Sequence, residues 1–152
     1  VTHYQEASAE SFSFPGILFD VIFAGDLIEH LPNPGLFLAC SARHLSEGGK
    51  LVLTTPNCFN LFNLTEKLSK SEPTVNADHT CYFNSKTLRT LLKKLDFEIT
   101  DSAFIYSLEY THKESLKKKI LNVVYAFLSI FTPKFLETLV VVAQPSKDTS
   151  AV

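Results

Sequence analysis

The chain has 152 residues, 45% apolar and 20% charged, which bounds it as one globular domain with a core of ordinary size and excludes a disordered chain. Its formal charge of -2 gives no general electrostatic reason to expect nucleic acid as a partner. Thirteen Phe make the core, or a pocket within it, unusually aromatic. The three cysteines, Cys40, Cys58 and Cys81, form no CxxC, so neither a zinc site nor a disulfide framework is expected, and free thiols suit a reducing, cytoplasmic setting. No signal peptide opens the chain, and the longest apolar stretch, Ile120 to Phe131, is too short to span a bilayer. There is no Met, and "VTHYQEASAE" reads as the interior of a protein, so a piece of something longer is expected.

In chain order, "ILFDVIFAG" (Ile17 to Gly25) is a short apolar run ending in Gly, which suits a strand buried on both faces. After Pro32 and Pro34, "GLFLACSARHL" carries apolar residues at Leu36, Phe37, Cys40 and Leu45, the spacing of an amphipathic helix with Pro34 in its first turn. "SEGGK" ends it, Gly48 and Gly49 being free to take left-handed conformations. "LVLTTP" (Leu51 to Pro56) is a second buried strand stopped by proline. "FNLFNLTEKLSK" allows a short helix and "SEPTVNADHT" is a polar loop. "NSKTLRTLLKKL" is amphipathic, with Ser85 as the expected N-cap and Leu88, Leu91, Leu92 and Leu95 on one face. "DFEITDSAFIY" reads as a strand, "KESLKKKILNVVYAFLSIF" as a helix, "ETLVVVAQ" as the last strand, and residues 146–152 as a disordered tail beyond a domain of residues 1–145. Strands alternating with helices predict an α/β domain with a largely parallel sheet.

Ligands in such sheets bind beyond the carboxyl ends of strands, which puts Gly25–His30 and Thr55–Asn57 on the functional rim. Asp26, Glu29 and His30 stand at i, i+3 and i+4 and share a face if the segment is helical. Three readings stay open: ligands for a divalent cation such as Mg²⁺ or Mn²⁺, metal-free polar groups beside substrate, or the polar first turn of a helix. Asn57 either lines a substrate pocket or terminates the strand in a turn. His79, Tyr82 and Phe83 bring an imidazole and aromatics to the rim, as a lid over substrate would. Lys113, Lys117, Lys118 and Lys119 beside an apolar face suggest a helix packed on the sheet, with peripheral membrane contact as the alternative.

Taken in order, "FDVIFAGDLIEHLPNP", "LSEGGKLVLTTPN", "DHTCYFNSKTLRTLLKKLDFEI" and "LVVVAQ" resemble the C-terminal half of a class I S-adenosylmethionine-dependent methyltransferase. The resemblance runs from about Ser8 to Ala143 and is nearest to the quinone-pathway O-methyltransferases and the type 11 and 23 groups. It implies a partial Rossmann-like sheet, mostly parallel with its last strand antiparallel. It implies that Gly25, Asp26 and Leu27 lie beside the methionine part of the cofactor. Ser8, Ala9 and Glu10 correspond to the segment near its adenine, with Ser8 where the family often has Asp. It implies Glu29 and His30 near substrate, with His30 and His79 as base candidates. The quinone-pathway enzymes carry a similar acid-x-x-Glu-His, and the small-RNA 2′-O-methyltransferases add a later His, for which His79 is the candidate. That set would make Asp26, Glu29, His30 and His79 the metal ligands.

One departure bears on function. The five glycines form no GxG, so the family's glycine-rich cofactor loop, its first two strands and the acid that holds the ribose have no counterpart here. The resemblance therefore implies methyl transfer, O-methylation being favoured, to a small-molecule, lipid, quinone or saccharide acceptor rather than RNA, by a chain inactive on its own. The alternative expectation is a catalytically inactive methyltransferase-like fragment or partner-binding subunit, exposing an unpaired strand edge. Oligomeric state is not legible.

Overall fold

The computed structural model describes residues 4–61, 63–64, 76–106, 123, 127 and 132–146. Its strands are β1 (Phe19–Gly25), β2 (Leu45–Pro56), β3 (Phe97–Ile105) and β4 (Thr138–Pro145), in the spatial order β1-β2-β4-β3. β1 and β2 are parallel, and β4 runs antiparallel to both β2 and β3. Three strands therefore point one way and the last inserts against them, as the resemblance implies.

Two helices, α1 (Pro34–His44) and α2 (Ser85–Lys94), bury one face of this sheet. Leu51, Leu53, Leu139, Val141 and Ala143 alternate along β2 and β4 and meet Phe37 and Leu38 of α1 and Leu88 and Leu92 of α2 in one core. Each such leucine, fully withdrawn from water, contributes about 1.5–3 kcal/mol. α1 is rotated from its sequence reading, because Leu36 is 49% exposed while Ser41 and His44 are buried. Ser41 is accommodated by donating its hydroxyl to the Phe37 carbonyl at 2.9 Å.

β2 starts at Leu45, immediately after α1, and not at Leu51. Phe19 pairs with Leu45 but Val21 with Lys50, so residues 45–49 bulge out of register. The glycine pair permits this in two ways. Gly48 is left-handed, at φ +75, and Gly49 lies so close to Phe19 and Ser46 that a Cβ would sit 2.9 Å from the carbonyl oxygen of each. The cap of α2 is also displaced by one residue. Asn84, not Ser85, is the N-cap: its side chain accepts from the amides of Lys86 and Thr87, and Thr87 Oγ1 accepts from the Asn84 N–H.

β1 lies at the sheet edge, and its outward residues Val21 and Phe23 are 57% and 67% exposed, so it is buried on one face only. The helix read at residues 113–131 lies outside the described residues except for Val123 and Phe127, which are helical and exposed. Of the short helix after Phe59, Leu61, Asn63 and Leu64 are described as helical, and the rest, like residues 147–152, lies outside. No helix among the described residues is long and apolar enough to cross a membrane. All three cysteines are free.

Candidate active site at the ends of β1 and β2

The carboxyl ends of the two parallel strands are tied together by Asp26 and Thr54. The Asp26 amide lies 3.0 Å from both the carbonyl and the hydroxyl oxygen of Thr54, whose hydroxyl donates to Asp26 Oδ1 at 3.0 Å. Asp26 is exposed and left-handed, at φ 47, a conformation that Asp tolerates better than most side chains. It is not part of a helix. Beyond Leu27 the chain makes a single 3-10 turn, Ile28–His30, halted because Pro32 forces Leu31 into extended backbone. Asp26, Glu29 and His30 consequently do not share a helical face, which corrects the expectation from their spacing.

The turn sends its two polar side chains to different places. Ile28 is fully buried and anchors it, and Glu29 goes inward with it, at 1% exposure. Glu29 Oε2 accepts from the Thr55 hydroxyl at 2.9 Å, at the end of β2. Glu29 Oε1 is buried and has no hydrogen-bond partner among the described residues. A buried carboxylate oxygen left unpaired costs about 1–3 kcal/mol, so it marks a place where a ligand's donor or a cation is wanted.

The segment after residue 76 is clipped onto this turn. The Glu29 carbonyl accepts from the amides of Thr80 and Cys81 at 2.8 and 3.1 Å, and the Thr80 hydroxyl donates to the Leu31 carbonyl at 2.8 Å. His30 Nδ1 lies 3.2 Å from the Asp78 carbonyl, which can only accept, so Nδ1 carries the proton. In the neutral ring that leaves Nε2 with a free lone pair, fit to take a proton or bind a metal. The His79 ring stands edge-on to that of His30, with centroids 4.6 Å apart, and Tyr82, 53% exposed, stands 6.3 Å from His79. One ligand atom each from Glu29, His30 and His79 fall within 4.8 Å of one another, whereas Asp26 lies outside this group.

The remaining candidates divide. Gly25 and Asp26 are exposed on the rim, and Leu27 is half-buried against the core. Ser8, Ala9 and Glu10 form a turn in which the Ser11 amide donates to the Ser8 carbonyl, and the Glu10 carboxylate accepts from the Asn33 amide at 2.6 Å. Asn57 is buried and committed to the protein. Its Nδ2 donates to the carbonyls of Lys134 and Leu136, both at 2.9 Å, and its Oδ1 accepts from the Phe59 amide. Burial raises the pKa of the Cys58 thiol, with a hydrogen bond to Asn84 acting against it, so this cysteine is held as a thiol. Thr55 and Thr80, which seat Glu29, carry no sequence signal beyond lying at a strand end and beside a histidine.

An acid-bearing turn at the carboxyl ends of parallel strands, in a sheet closed by one antiparallel insertion, is the rim of a methyltransferase-type sheet. The profile of a methyltransferase domain family matches residues 1–102, more than half of the chain, and the chain belongs to that family. No curated protein matches it in sequence. It is similar in fold to the methyltransferase of a Haloferax volcanii complex with the Trm112 methyltransferase activator, at TM-score 0.63 and 12% identity over 95% of this chain and 61% of that one. A Clostridium acetobutylicum S-adenosylmethionine-dependent methyltransferase superposes at TM-score 0.56 and 12% identity, over 92% and 63% of the two chains. The Synechocystis magnesium protoporphyrin IX methyltransferase with bound SAH superposes at 0.55 and 12% identity, over 92% and 49%. The chain thus spans less than two thirds of the length of these structures.

Proposed function

We propose that the chain is the acceptor-side half of an S-adenosylmethionine-dependent methyltransferase, acting on a hydroxyl-bearing small-molecule, lipid, quinone or saccharide acceptor in the cytoplasm. The observation that carries this reading is Glu29 Oε1, without a hydrogen-bond partner among the described residues and buried beside His30 and His79 at the rim of a methyltransferase sheet. A site that offers a buried acceptor atom selects a ligand that brings a donor, and an acceptor hydroxyl does so.

S-adenosylmethionine, when bound, supplies an electrophilic methyl group. The residues assigned to hold it are Gly25, Asp26 and Leu27 at the end of β1, with Ser8, Ala9 and Glu10 on the adenine side. They fit one wall of the cofactor only, since no GxG is present and no strand among the described residues pairs with the outer edge of β1. The acceptor's hydroxyl docks by donating to Glu29 Oε1 and then turns its one proton to His30 Nε2, the general base, as its oxygen would attack the methyl with S-adenosylhomocysteine as leaving group; His79 and Tyr82 cover the acceptor. Asn57 serves by fixing the end of β2. The chain alone is inactive in this reading. The test is S-adenosylhomocysteine release, measured over a panel of hydroxyl acceptors, by the chain and by a form extended at its amino terminus with a glycine-loop half. Release by the extended form alone is expected, at least tenfold lower in its His30→Ala variant.

The edge of β1, unpaired among the described residues and with Val21 and Phe23 exposed beside it, favours a second reading in which the chain is an inactive, partner-binding subunit. The Haloferax relative bound to an activator is a precedent for such association. No release by any form, with stable co-purification of a partner through β1, would favour it.

The trio of Glu29, His30 and His79 also supports a divalent cation, which would lower the acceptor's pKa and orient its oxygen. Two imidazoles and one carboxylate suit Mn²⁺ better than Mg²⁺, which prefers oxygen throughout. Calorimetric titration should show Mn²⁺ binding that is lost in both Glu29→Ala and His79→Ala; affinity indifferent to either substitution removes the metal.

A further inference from the structure

His44 is the last residue of α1, 7% exposed, and both of its ring nitrogens engage backbone. Nδ1 lies 2.9 Å from the carbonyl oxygen of Cys40, one turn back on the same helix. Nε2 lies 2.9 Å from the amide nitrogen of Phe14, on the segment before β1. A carbonyl can only accept and an amide can only donate, so the ring is the neutral tautomer protonated at Nδ1. The rings of Phe12 and Phe14 stand 5.1 and 5.9 Å from the imidazole. Two more bonds hold the same segment to the same helix: Glu10 Oε1 accepts from the Asn33 amide, and the Glu10 carbonyl accepts from the Cys40 thiol at 3.4 Å.

We propose that His44 is a positioning residue, a proton-sensitive clasp that fixes residues 8–14 against α1 while neutral and releases them when protonated. A proton on Nε2 sets one donor against another, removes the Phe14 bond and leaves a charge among phenyl rings. The clasp is therefore intact on the alkaline side of the ring's titration and lost on the acid side.

The titratable and charged groups on the segment, on α1 and on the neighbouring strands are Tyr4, Glu6 and Glu10, Cys40 and Arg43, Asp20 on β1, and Glu47 and Lys50 on β2. No side chain among the described residues hydrogen-bonds to the imidazole. Glu10 is taken by Asn33, Arg43 donates to Cys40 Sγ at 3.1 Å, and Asp20 accepts from Ser46 at 2.8 Å. None of them is placed to stabilise the protonated ring by a direct bond. The functional consequence rests on the proposed function: residues 8–10 form the adenine-side wall, so acid would loosen the cofactor site at a distance from its chemistry.

The test is amide hydrogen exchange followed by NMR at about pH 8 and about pH 5.5, as protection factors. Protection of the Phe14 amide should fall about tenfold on acidification, the equivalent of one hydrogen bond, while Leu53 and Val141 in the core keep theirs. His44→Gln supplies both a donor and an acceptor without titrating, so Phe14 should stay protected at both pH values. His44→Phe keeps the packing but lacks the acceptor, and Phe14 should be unprotected at both. Protection of wild-type Phe14 that ignores pH, or that falls only in step with Leu53 and Val141, overturns the clasp. S-adenosylmethionine affinity of the extended form at the same two pH values separates the claims. An opened clasp with unchanged affinity leaves the clasp standing and removes residues 8–10 from the cofactor site.

Discussion

Replacing Glu29 with glutamine is expected to lower methyl transfer by about a hundredfold or more while leaving the chain at least as stable as before. The carboxylate is 1% exposed and, among the described residues, satisfied at one oxygen only, by Thr55. Glutamine is nearly the same size, keeps an oxygen for the Thr55 hydroxyl and removes a charge from an enclosed position. Relief of that burial is worth about 1 kcal/mol, a rise of a few degrees in Tm for a domain of this size. Function should fall because, in the proposed mechanism, that oxygen receives the acceptor's hydroxyl, and an amide NH2 there would oppose a donor with a donor. Thermal unfolding of the chain and S-adenosylhomocysteine release by the extended form measure the two halves separately. A lower Tm with unchanged release would make Glu29 a structural group.

The second large effect is expected at Asn57, and it is one of folding. Asn57→Ala should destabilise the chain by about 2–4 kcal/mol, because it strips the carbonyls of Lys134 and Leu136 and the Phe59 amide of their partner, the Leu136 bond being buried and the other two partly so. Those bonds fasten the approach to β4 onto the end of β2, on the strand that supplies Thr55 to Glu29. Both amide protons are already used, so the residue has none to offer an acceptor. Denaturant unfolding gives the first quantity, and the second is KM for the acceptor. A loss below about 1 kcal/mol together with a tenfold rise in KM would instead return Asn57 to the acceptor site.

The order of strands and helices was legible because each element carries its own period: the run from Phe19 to Gly25, the Leu88–Leu92 stripe and the β-branched Leu139 to Ala143 segment. The antiparallel last strand came from resemblance, since no local pattern encodes direction. What failed locally failed for identifiable reasons. A bulged strand through Gly48 and Gly49 leaves no alternation to read. At the start of α2, two adjacent residues were both good caps, and Asn84 won because Thr87 completes a reciprocal pair of bonds with it.

The site was legible as a location but not as an arrangement. Spacing placed Asp26 with Glu29 and His30, whereas the left-handed turn at Asp26 and the prolines at 32 and 34 separate them. The burial of Glu29 depends on Thr55, 26 residues away, and on Thr80, 51 residues away, and contacts of that range leave no trace in a single chain's periodicity. His44 carries no signal in the sequence, because its partner, the Phe14 amide, is a backbone group that any residue would supply.

The central claim is that this chain is one half of a cofactor-binding methyltransferase, and calorimetric titration with S-adenosylmethionine tests it most directly. The extended form with its glycine-loop half should bind with a stoichiometry of one, and the chain alone should give no heat of binding. Absence of binding by the extended, folded form would contradict the account.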